Sequence, residues 1–317
     1  MNERAMRQGR LKGAEDHPAI LHVGYERTAT TTHQRQVFSK HKEIAYLGKP
    51  YPVPVIEHLV YEFTSADSAI FDLPVTRRAL EEVLAKVVVP NGRVLALSEE
   101  AILGPYTVDT RVLCERLMGL FGDPKIVITI RRQDDLLISW LFHVIKKNNA
   151  RPLSKTLKLL DKESHLSTSL LHYLDYAAIC RALASAVGQE NLLVIPYELF
   201  KSDRAKYAQM LSAFMGIDAK ETQRLLESSS ISNQRQDDAS VAYFDFRSRY
   251  LAGEVQTPTI DSVLAKLFGL AGFNANGVKE VAARAEALCA TRYERSNRML
   301  AEAFGLDLRA YGYPGLR

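Results

Sequence analysis

The residues best suited to chemistry lie in one short polar stretch, Gly24 to Thr32, which combines an arginine with four threonines. It follows an apolar run and precedes a segment with helical periodicity. The first backbone N–H groups of a helix have no partner within it, and the helix dipole favours an anion there. Threonine hydroxyls add donors, and Arg27 adds a charged one. The stretch therefore predicts an anion site; the alternative is a surface helix capped by Thr28 or Thr30.

The stretch has the length of a nucleotide-binding P-loop but lacks its lysine. When GxxxxGK[ST] is counted from Gly24, Ala29 falls at the second glycine and Thr30 at the lysine. The positive residue stands three places earlier, at Arg27. Because the P-loop lysine contacts the terminal phosphates of ATP, an ATP-dependent phosphotransferase is disfavoured.

A second cationic site follows a later apolar run. Arg131 comes directly after Ile126–Ile130, and Ser139 stands eight residues further on, about two helical turns into the next predicted helix. Open α/β sheets bind ligands at the carboxyl ends of their strands, and an arginine with a serine suits a phosphate. The alternative is an ion pair between Arg131 and Asp135 beside a solvated serine.

These sites need a parallel sheet that brings the strand ends together. Apolar runs predict its strands at Ala19–Val23, Glu43–Leu47 (the weakest), Val94–Leu97, Ile126–Ile130 and Leu192–Ile195. Helical periodicity predicts helices at Thr31–Lys40, Val75–Val87, Thr110–Phe121, Asp134–Lys147, Ala177–Val187, Arg204–Met215, Lys220–Leu226, Val241–Tyr250 and Val278–Phe304. The alternation predicts an α/β fold with a parallel central sheet flanked by helices and a helical C-terminal third. Pro50–Asp72 and Ile231–Thr259 are predicted to be substrate loops.

The composition is that of an ordinary globular protein. Of 317 residues, 47% are hydrophobic and 25% charged, and the net charge is +4, which gives no indication of a nucleic-acid partner. The three cysteines lie far apart without a CxxC, so neither a disulfide framework nor a zinc site is expected. The same pattern indicates a protein of a reducing compartment.

Residues 1–16 alternate basic and acidic side chains without an apolar stretch, so they predict a flexible segment rather than a signal peptide. No apolar run is long enough to span a membrane. A cytoplasmic location is therefore predicted. Because the sequence shows no repeat and no low-complexity linker, a single domain over residues 17–317 is predicted as well. The oligomeric state is left open.

The first site resembles a signature of sulfotransferases that use 3′-phosphoadenosine 5′-phosphosulfate (PAPS). That family carries Lys/Arg-[ST]-Gly-[ST]-[ST] between the first strand and helix, and this chain departs from it with alanine at the glycine. A threonine also replaces the tryptophan that follows in many animal members. The resemblance implies that the donor's 5′-phosphosulfate is held by Arg27, Thr28, Ala29, Thr30, Thr31 and Thr32.

The second site resembles the same family's 3′-phosphate motif, Arg-x-Pro-x-Asp-x-x-x-Ser, with Gln133 in place of the proline. The resemblance implies that Arg131 and Ser139 bind the 3′-phosphate and that Asp135 is structural. A third similarity, at Leu192–Phe200, implies that Tyr197 approaches the adenine. Over about residues 20–304 the resemblance implies a P-loop-like sulfotransferase fold.

The implied reaction moves a sulfuryl group from PAPS, without a metal, to a hydroxyl of a small-molecule or glycan acceptor, with a carbohydrate or glycolipid favoured. Arg27 would stabilise charge on the leaving oxygen, and the hydroxyl needs a general base. Glu100 is the chosen base, with Glu99 and His33 as alternatives. The two glutamates could equally form the acidic first turn of a helix that begins near Ala101. A P-loop kinase-like phosphotransferase and a non-catalytic nucleotide-binding module are the competing functions.

Overall fold

The computed structural model describes residues 18–86, 93–104, 107–148, 171–228, 243–244, 246–247, 265–267 and 276–316, with backbone alone at 142–148 and 276–278. Two compact units divide the chain, each built from two stretches. The first unit is Met1–Arg131 with Tyr176–Ser232, and the second unit is Arg132–Asp175 with Asn233–Arg317. The single domain over residues 17–317 stays a prediction, and the flexible segment at residues 1–16 lies outside the described residues.

The first unit is built on a five-stranded parallel sheet with the order β2-β3-β1-β4-β5. Its strands are β1 (Ile20–His22), β2 (Ile44–Tyr46), β3 (Val94–Ser98), β4 (Lys125–Ile130) and β5 (Leu192–Pro196). The predicted parallel sheet is confirmed. Five of the six residues of β4 are buried, as expected for a strand that is covered on both faces. Because β1 lies between β3 and β4, the chain segments that follow these three strands leave the sheet side by side.

The sheet is flanked by helices, most of which have bounds close to the predicted ones, whereas those at Pro54–Ser65 and Tyr197–Ser202 have no predicted counterpart. The main helices are α1 (Thr30–Thr32, continued by a π-helical segment at His33–Phe38), α2 (Pro54–Ser65), α3 (Leu73–Lys86), α4 (Thr110–Phe121), α5 (Gln133–Asn148), α6 (Tyr176–Val187), α7 (Tyr197–Ser202), α8 (Arg204–Met215), α9 (Ala219–Glu227) and α10 (Asn276–Phe304). Of these, α5 and α10 belong to the second unit. Among the described helices, none combines the length and apolar character that crossing a membrane requires.

The prediction of a substrate loop over Pro50–Asp72 is wrong for most of that segment, because α2 occupies its centre. A proline begins the helix, where its fixed φ fits and its missing N–H is not needed. The apolar residues recur at helical spacing and are buried: Ile56, Leu59, Val60 and Phe63. The other predicted loop, at Ile231–Thr259, lies outside the described residues apart from residues 243–244 and 246–247, which are helical.

The second unit gives Gln133 a structural task. Its amide is fully buried and pairs reciprocally with that of Asn297 on α10, at 2.6 Å from Gln133 Nε2 to Asn297 Oδ1 and 3.2 Å in the other direction. Asn297 also donates to the carbonyl of Pro314 at 3.0 Å. Proline at position 133 could not make this pair, so the departure from the family motif is accompanied by a polar link between α5 and α10.

Candidate active site

The loop after β1 is a compact turn held by its own polar atoms. The Thr28 hydroxyl donates to the carbonyl of Tyr25 at 2.5 Å. Arg27 and Ala29 both adopt left-handed backbone conformations, with φ of 67° and 65°. Ala29 precedes the first residue of α1, and its carbonyl accepts from the N–H of Thr32 at 2.9 Å. The N–H groups of the residues between them lie in the first turn, where a helix offers them no partner.

The predicted loop residues divide by exposure. Three of the threonine side chains are buried: Thr28, Thr30 and Thr32. Arg27, Ala29 and Thr31 are half-buried. The hydroxyl of Thr28 closes the turn. Because Arg27 and Thr31 are more exposed than the buried threonines, their side chains are the ones best placed to meet a ligand, together with the backbone N–H groups of the first turn.

Arg131 stands at the end of β4 and reaches the loop directly. Its Nη1 donates to the carbonyl of Arg27 at 3.0 Å, and its guanidinium lies 5.1 Å from the centre of the Tyr197 ring. The Tyr176 hydroxyl donates to the carbonyl of Arg131 at 2.7 Å. The Nε of Arg131 is buried and has no hydrogen-bond partner within the described part of the chain.

The two arginines make a strongly positive corner. Burial lowers the pKa of Arg27 from its ordinary value, and the charge of Arg131 lowers it further, while Glu26 and Tyr197 act in the opposite direction. Two guanidinium groups that repel each other in a partly buried place are stabilised by an anion between or beside them. The corner is therefore electrostatically suited to a phosphate or sulfate group.

Two predicted residues of the second cationic site lie in the second unit. Ser139 is half-buried on α5, and its proposed role beside Arg131 stays a prediction. Asp135 has a different cationic neighbour from the predicted one, with Arg132 Nε at 3.8 Å from its Oδ2. The same Arg132 pairs with Asp134 at 2.9 Å, so the start of α5 carries its own ion pairs.

The segment after β3 holds two glutamates in different surroundings. Glu99 is almost fully buried, and its Oε1 accepts from the N–H of Ala101 at 3.0 Å while Oε2 accepts from the Tyr51 hydroxyl. Glu100 begins a short 3₁₀ helix, and its side chain is 16% exposed. Gln34 donates to Oε2 of Glu100 at 2.8 Å. The structure thus separates a buried, fully bonded carboxylate from an accessible one.

Lys49 bridges the two carboxylates. Its Nζ lies 3.9 Å from Oε1 of Glu99 and 3.6 Å from Oε1 of Glu100. Burial raises the pKa of Glu99, the charge of Glu100 raises it further, and Tyr51, Ala101 and Lys49 lower it in part. We call Gln34, Lys49, Tyr51, Glu99 and Glu100 the acidic cluster.

Sequence reasoning missed the role of Lys49 and Tyr51, although a signal was present. They follow the predicted strand Glu43–Leu47, so they had to emerge at the same sheet edge as the glutamates. Gly48 enables the approach, because a Cβ there would overlap the backbone of Ser98. The Tyr46 hydroxyl donates to the carbonyl of Lys49 at 2.7 Å and holds the turn.

The two histidines near the site are buried in the floor beneath it. His22 lies between the hydroxyls of Ser98 and Thr129, at 2.7 Å from Nδ1 and 3.3 Å from Nε2. Burial lowers the pKa of His22 well below its usual value, and His33 adds to the effect. His33 donates from Nδ1 to the carbonyl of Ala29 at 2.8 Å, and burial lowers its pKa to about 4.

His33 is poorly placed to act as a base. Its side chain has no exposed surface and packs against the rings of Phe200 and Tyr207, with centroids 5.2 Å away in both cases. Its Nε2 is buried and has no hydrogen-bond partner among the described residues. Of the three residues considered for this role, Glu100 therefore has the most exposed side chain.

The fold and the site together define a parallel α/β protein whose loop between the first strand and the first helix carries an arginine and several threonine hydroxyls. Within the described residues, no group of three or more His, Cys, Asp or Glu side chains could hold a metal ion. No protein-family model matches the chain, and no curated protein matches it in sequence.

Chains of solved structures match this chain, among them three sulfotransferases. A sulfotransferase from Alicyclobacillus acidocaldarius is 18% identical, with a TM-score of 0.47 over 75% of this chain and 97% of that one. Mouse sulfotransferase SULT7A1 complexed with PAP is 16% identical, with a TM-score of 0.44 over 90% and 92%. The sulfotransferase domain from the curacin biosynthetic pathway is 14% identical, with a TM-score of 0.37 over 84% and 97%. Identities this low do not transfer an activity or a substrate.

Proposed function

We propose that this chain is a sulfotransferase that moves the sulfuryl group of PAPS to a hydroxyl of an acceptor. The observation that carries the proposal is the contact of Arg131 with the carbonyl of Arg27 at 3.0 Å. It brings the cationic ends of two adjacent strands together beside a loop rich in backbone N–H groups. A donor that carries anionic groups at both its 5′ and 3′ ends matches this arrangement.

Each donor group has proposed partners. The 5′-phosphosulfate would lie against Arg27 and the loop from Thr28 to Thr32, while the 3′-phosphate would lie against Arg131 and Ser139. Tyr197 lies under the Arg131 guanidinium, and a position near the adenine is proposed for it. The loop offers no lysine at the position where ATP-dependent P-loop enzymes need one, which supports PAPS over ATP.

The proposed reaction is an in-line displacement at sulfur. The acceptor oxygen forms a bond to sulfur, the bond from sulfur to the bridging oxygen breaks, and adenosine 3′,5′-bisphosphate (PAP) leaves with that electron pair. The acceptor's proton passes to a carboxylate, for which Glu100 is proposed. Charge that develops on the leaving oxygen would be stabilised by Arg27 and the N–H groups of the loop.

Glu100 is preferred to the other two candidates on geometric grounds. Both oxygens of Glu99 accept hydrogen bonds, from the N–H of Ala101 and the Tyr51 hydroxyl. Its side chain is 3% exposed, against 16% for Glu100. His33 is enclosed by aromatic rings.

The acceptor is proposed to be an alcohol, with a carbohydrate or glycolipid favoured.

A cytoplasmic location is proposed with this function. The three cysteines, Cys114, Cys180 and Cys289, are all buried thiols in the described structure, as expected for a protein of a reducing compartment. PAPS would then be a soluble co-substrate, and the acceptor a small molecule or glycan.

Ligand-induced stabilisation tests the donor. PAP at 100 times its Kd should stabilise the fold by about 2.7 kcal/mol without Mg²⁺, and ATP should not. Arg131→Ala should remove most of the thermal shift, while Arg224→Ala, at an exposed arginine paired with Glu221, should leave it intact. An absent shift with PAP, or an equal shift with ATP, would contradict the proposed donor.

A screen with radiolabelled PAPS then tests transfer. Label should pass to carbohydrate or lipid-linked alcohols in the presence of wild-type protein. Glu100→Gln should bind PAP normally and lose transfer by about 10²-fold or more, the lower range for a positioned general base. Full transfer by this variant would reject Glu100 as the base, and binding of PAP without transfer to any acceptor would favour a non-catalytic module.

A further inference from the structure

Arg131 makes a contact that binding of a 3′-phosphate does not require. Its Nη1 donates to the carbonyl of Arg27, a residue of the loop that is proposed to hold the other end of the donor. Both residues lie in the first unit: Arg131 directly follows β4, and Arg27 lies in the loop after the neighbouring strand β1. The contact therefore connects the two proposed anion subsites through the backbone.

The carbonyl that Arg131 holds belongs to a strained residue. Arg27 has a φ of 67°, which an L-residue adopts at a cost of about 1–2 kcal/mol. Such a conformation persists only where the surroundings impose it. Thr28 contributes by donating to the carbonyl of Tyr25, and Arg131 contributes by donating to the carbonyl of Arg27 itself.

The direction of this carbonyl fixes the direction of a donor. In a trans peptide the carbonyl of one residue and the N–H of the next lie in one plane and point in opposite directions. A hydrogen bond to the Arg27 carbonyl thus orients the N–H of Thr28. Ala29 follows with a second left-handed φ of 65°, so the orientation of this peptide determines where the rest of the loop runs.

Arg131 is itself held firmly enough to act as a fixed point. The Tyr176 hydroxyl donates to its carbonyl at 2.7 Å, and its guanidinium lies over the Tyr197 ring. Tyr176 is fully buried and packs against the ring of Tyr25, with centroids 4.8 Å apart. Tyr176 thus contacts both Arg131 and Tyr25, a residue of the loop that Arg131 holds.

We propose that Arg131 is a positioning residue for the first loop, which holds Arg27 in its left-handed conformation and so prepares the loop for the 5′ group of a nucleotide. This inference rests on the proposed function, because the loop is taken to be the site of the 5′ group. It has a consequence that a simple 3′-phosphate contact does not have. Arg131 contributes to the binding of a nucleotide that carries no 3′-phosphate.

Adenosine 5′-monophosphate (AMP) and PAP separate the two roles, because they differ only in the 3′-phosphate. Calorimetric titration should show that Arg131→Ala weakens AMP about tenfold, the equivalent of the left-handed conformation's cost, and weakens PAP more. Unchanged AMP binding with weakened PAP binding would overturn the positioning role. Wild-type protein that binds PAP no tighter than AMP would instead contradict the proposed donor and leave the AMP comparison valid.

Loss of the Arg131 charge would also weaken the binding of AMP. Two variants of Arg27 distinguish this effect from the positioning role. Arg27→Ala keeps the cost of the left-handed φ, whereas Arg27→Gly abolishes it, and both lack the Arg27 charge. Adding Arg131→Ala should weaken the binding of AMP about tenfold in the Arg27→Ala protein and less than twofold in the Arg27→Gly protein. Equal losses in the two backgrounds would overturn the proposal. Urea unfolding of every variant establishes that folded proteins are compared.

Discussion

The ammonium group of Lys49 lies 3.6 Å from Oε1 of Glu100, on a turn that Gly48 allows to pass against the backbone of Ser98. Burial by itself would lower the pKa of Lys49, but the carboxylates of Glu99 and Glu100 raise it above its usual value. A half-exposed cation thus offsets the repulsion between two adjacent negative charges.

Removing this charge should change how stability depends on pH. Glu99 has a pKa raised above its ordinary 4.5, so its folded form retains a proton that the unfolded chain has lost, and stability falls as pH rises through that window. Lys49→Met should enlarge the fall between pH 5 and pH 8 by about 0.5–1 kcal/mol, a value reduced for exposure. Urea unfolding at both pH values measures it. Lys40→Met, at an exposed lysine, should lose the same unfolding free energy between the two pH values as the wild type. If Lys49→Met also loses no more than the wild type, Lys49 does not offset the charge of Glu99.

Tyr51→Phe should affect transfer without affecting the donor. The change removes the hydroxyl that donates to the buried Oε2 of Glu99, at a cost of about 1–3 kcal/mol in stability. Because the neighbouring Glu100 is the proposed base, kcat should fall while PAP affinity is unchanged. Tyr61→Phe, at a tyrosine that is 64% exposed, is the matched control. A loss of PAP affinity would place Tyr51 at the donor instead.

Gly48→Ala should displace the whole turn. The new Cβ would overlap the carbonyl and N–H of Ser98, which cannot move without distorting β3. We expect a loss of transfer larger than that of Tyr51→Phe, together with a lower melting temperature. Gly104→Ala is the comparison, since its Cβ would come no closer than 3.2 Å to Ala101 O. Wild-type transfer by Gly48→Ala would mean that the position of Lys49 and Tyr51 is unimportant.

Ala29→Gly should stabilise the protein. Alanine at φ 65° carries a steric cost that glycine avoids, and the gain exceeds the entropy that glycine adds to the unfolded chain. We expect about 1 kcal/mol in urea unfolding. The same change at Ala213, exposed within α8, should cost about that amount. A destabilised Ala29→Gly variant would show that the alanine methyl group contributes more than its backbone costs.

His33 should make the fold sensitive to mild acid. Its folded pKa of about 4 lies below the 6.5 of an unfolded histidine, so its contribution is complete above pH 6.5 and is lost as pH falls. About 2 kcal/mol should disappear by pH 5, and the depressed pKa of His22 adds in the same direction. His33→Asn, which can retain a donor to Ala29, should reduce the loss of unfolding free energy between pH 7.5 and pH 5, measured by urea unfolding. His58→Asn, at an exposed histidine, should leave that loss as in the wild type. Equal losses in the two variants would refute the role of His33 in the acid sensitivity.

The sequence predicted what depends on local pattern. The five strands were readable because Val, Ile and Leu are concentrated in short runs, and the Arg27 and Arg131 positions followed from the rule that parallel strands end at one edge. The acidic cluster was only half visible, because Glu99 and Glu100 follow a strand but their different burial depends on Tyr51 and Gln34, which are remote in sequence. The helix α2 was missed although Ile56, Leu59 and Phe63 had the spacing to reveal it.

The burial of the three cysteines makes each of them a reporter of local opening. Burial raises the pKa of Cys114 to about 11 and that of Cys289 to about 12, so neither thiol reacts appreciably at neutral pH while its surroundings stay closed. Cys114 and Cys180 belong to the first unit and Cys289 to the second. The rate at which each is alkylated in native buffer therefore measures, unit by unit and without any introduced label, how often that part of the chain opens to solvent.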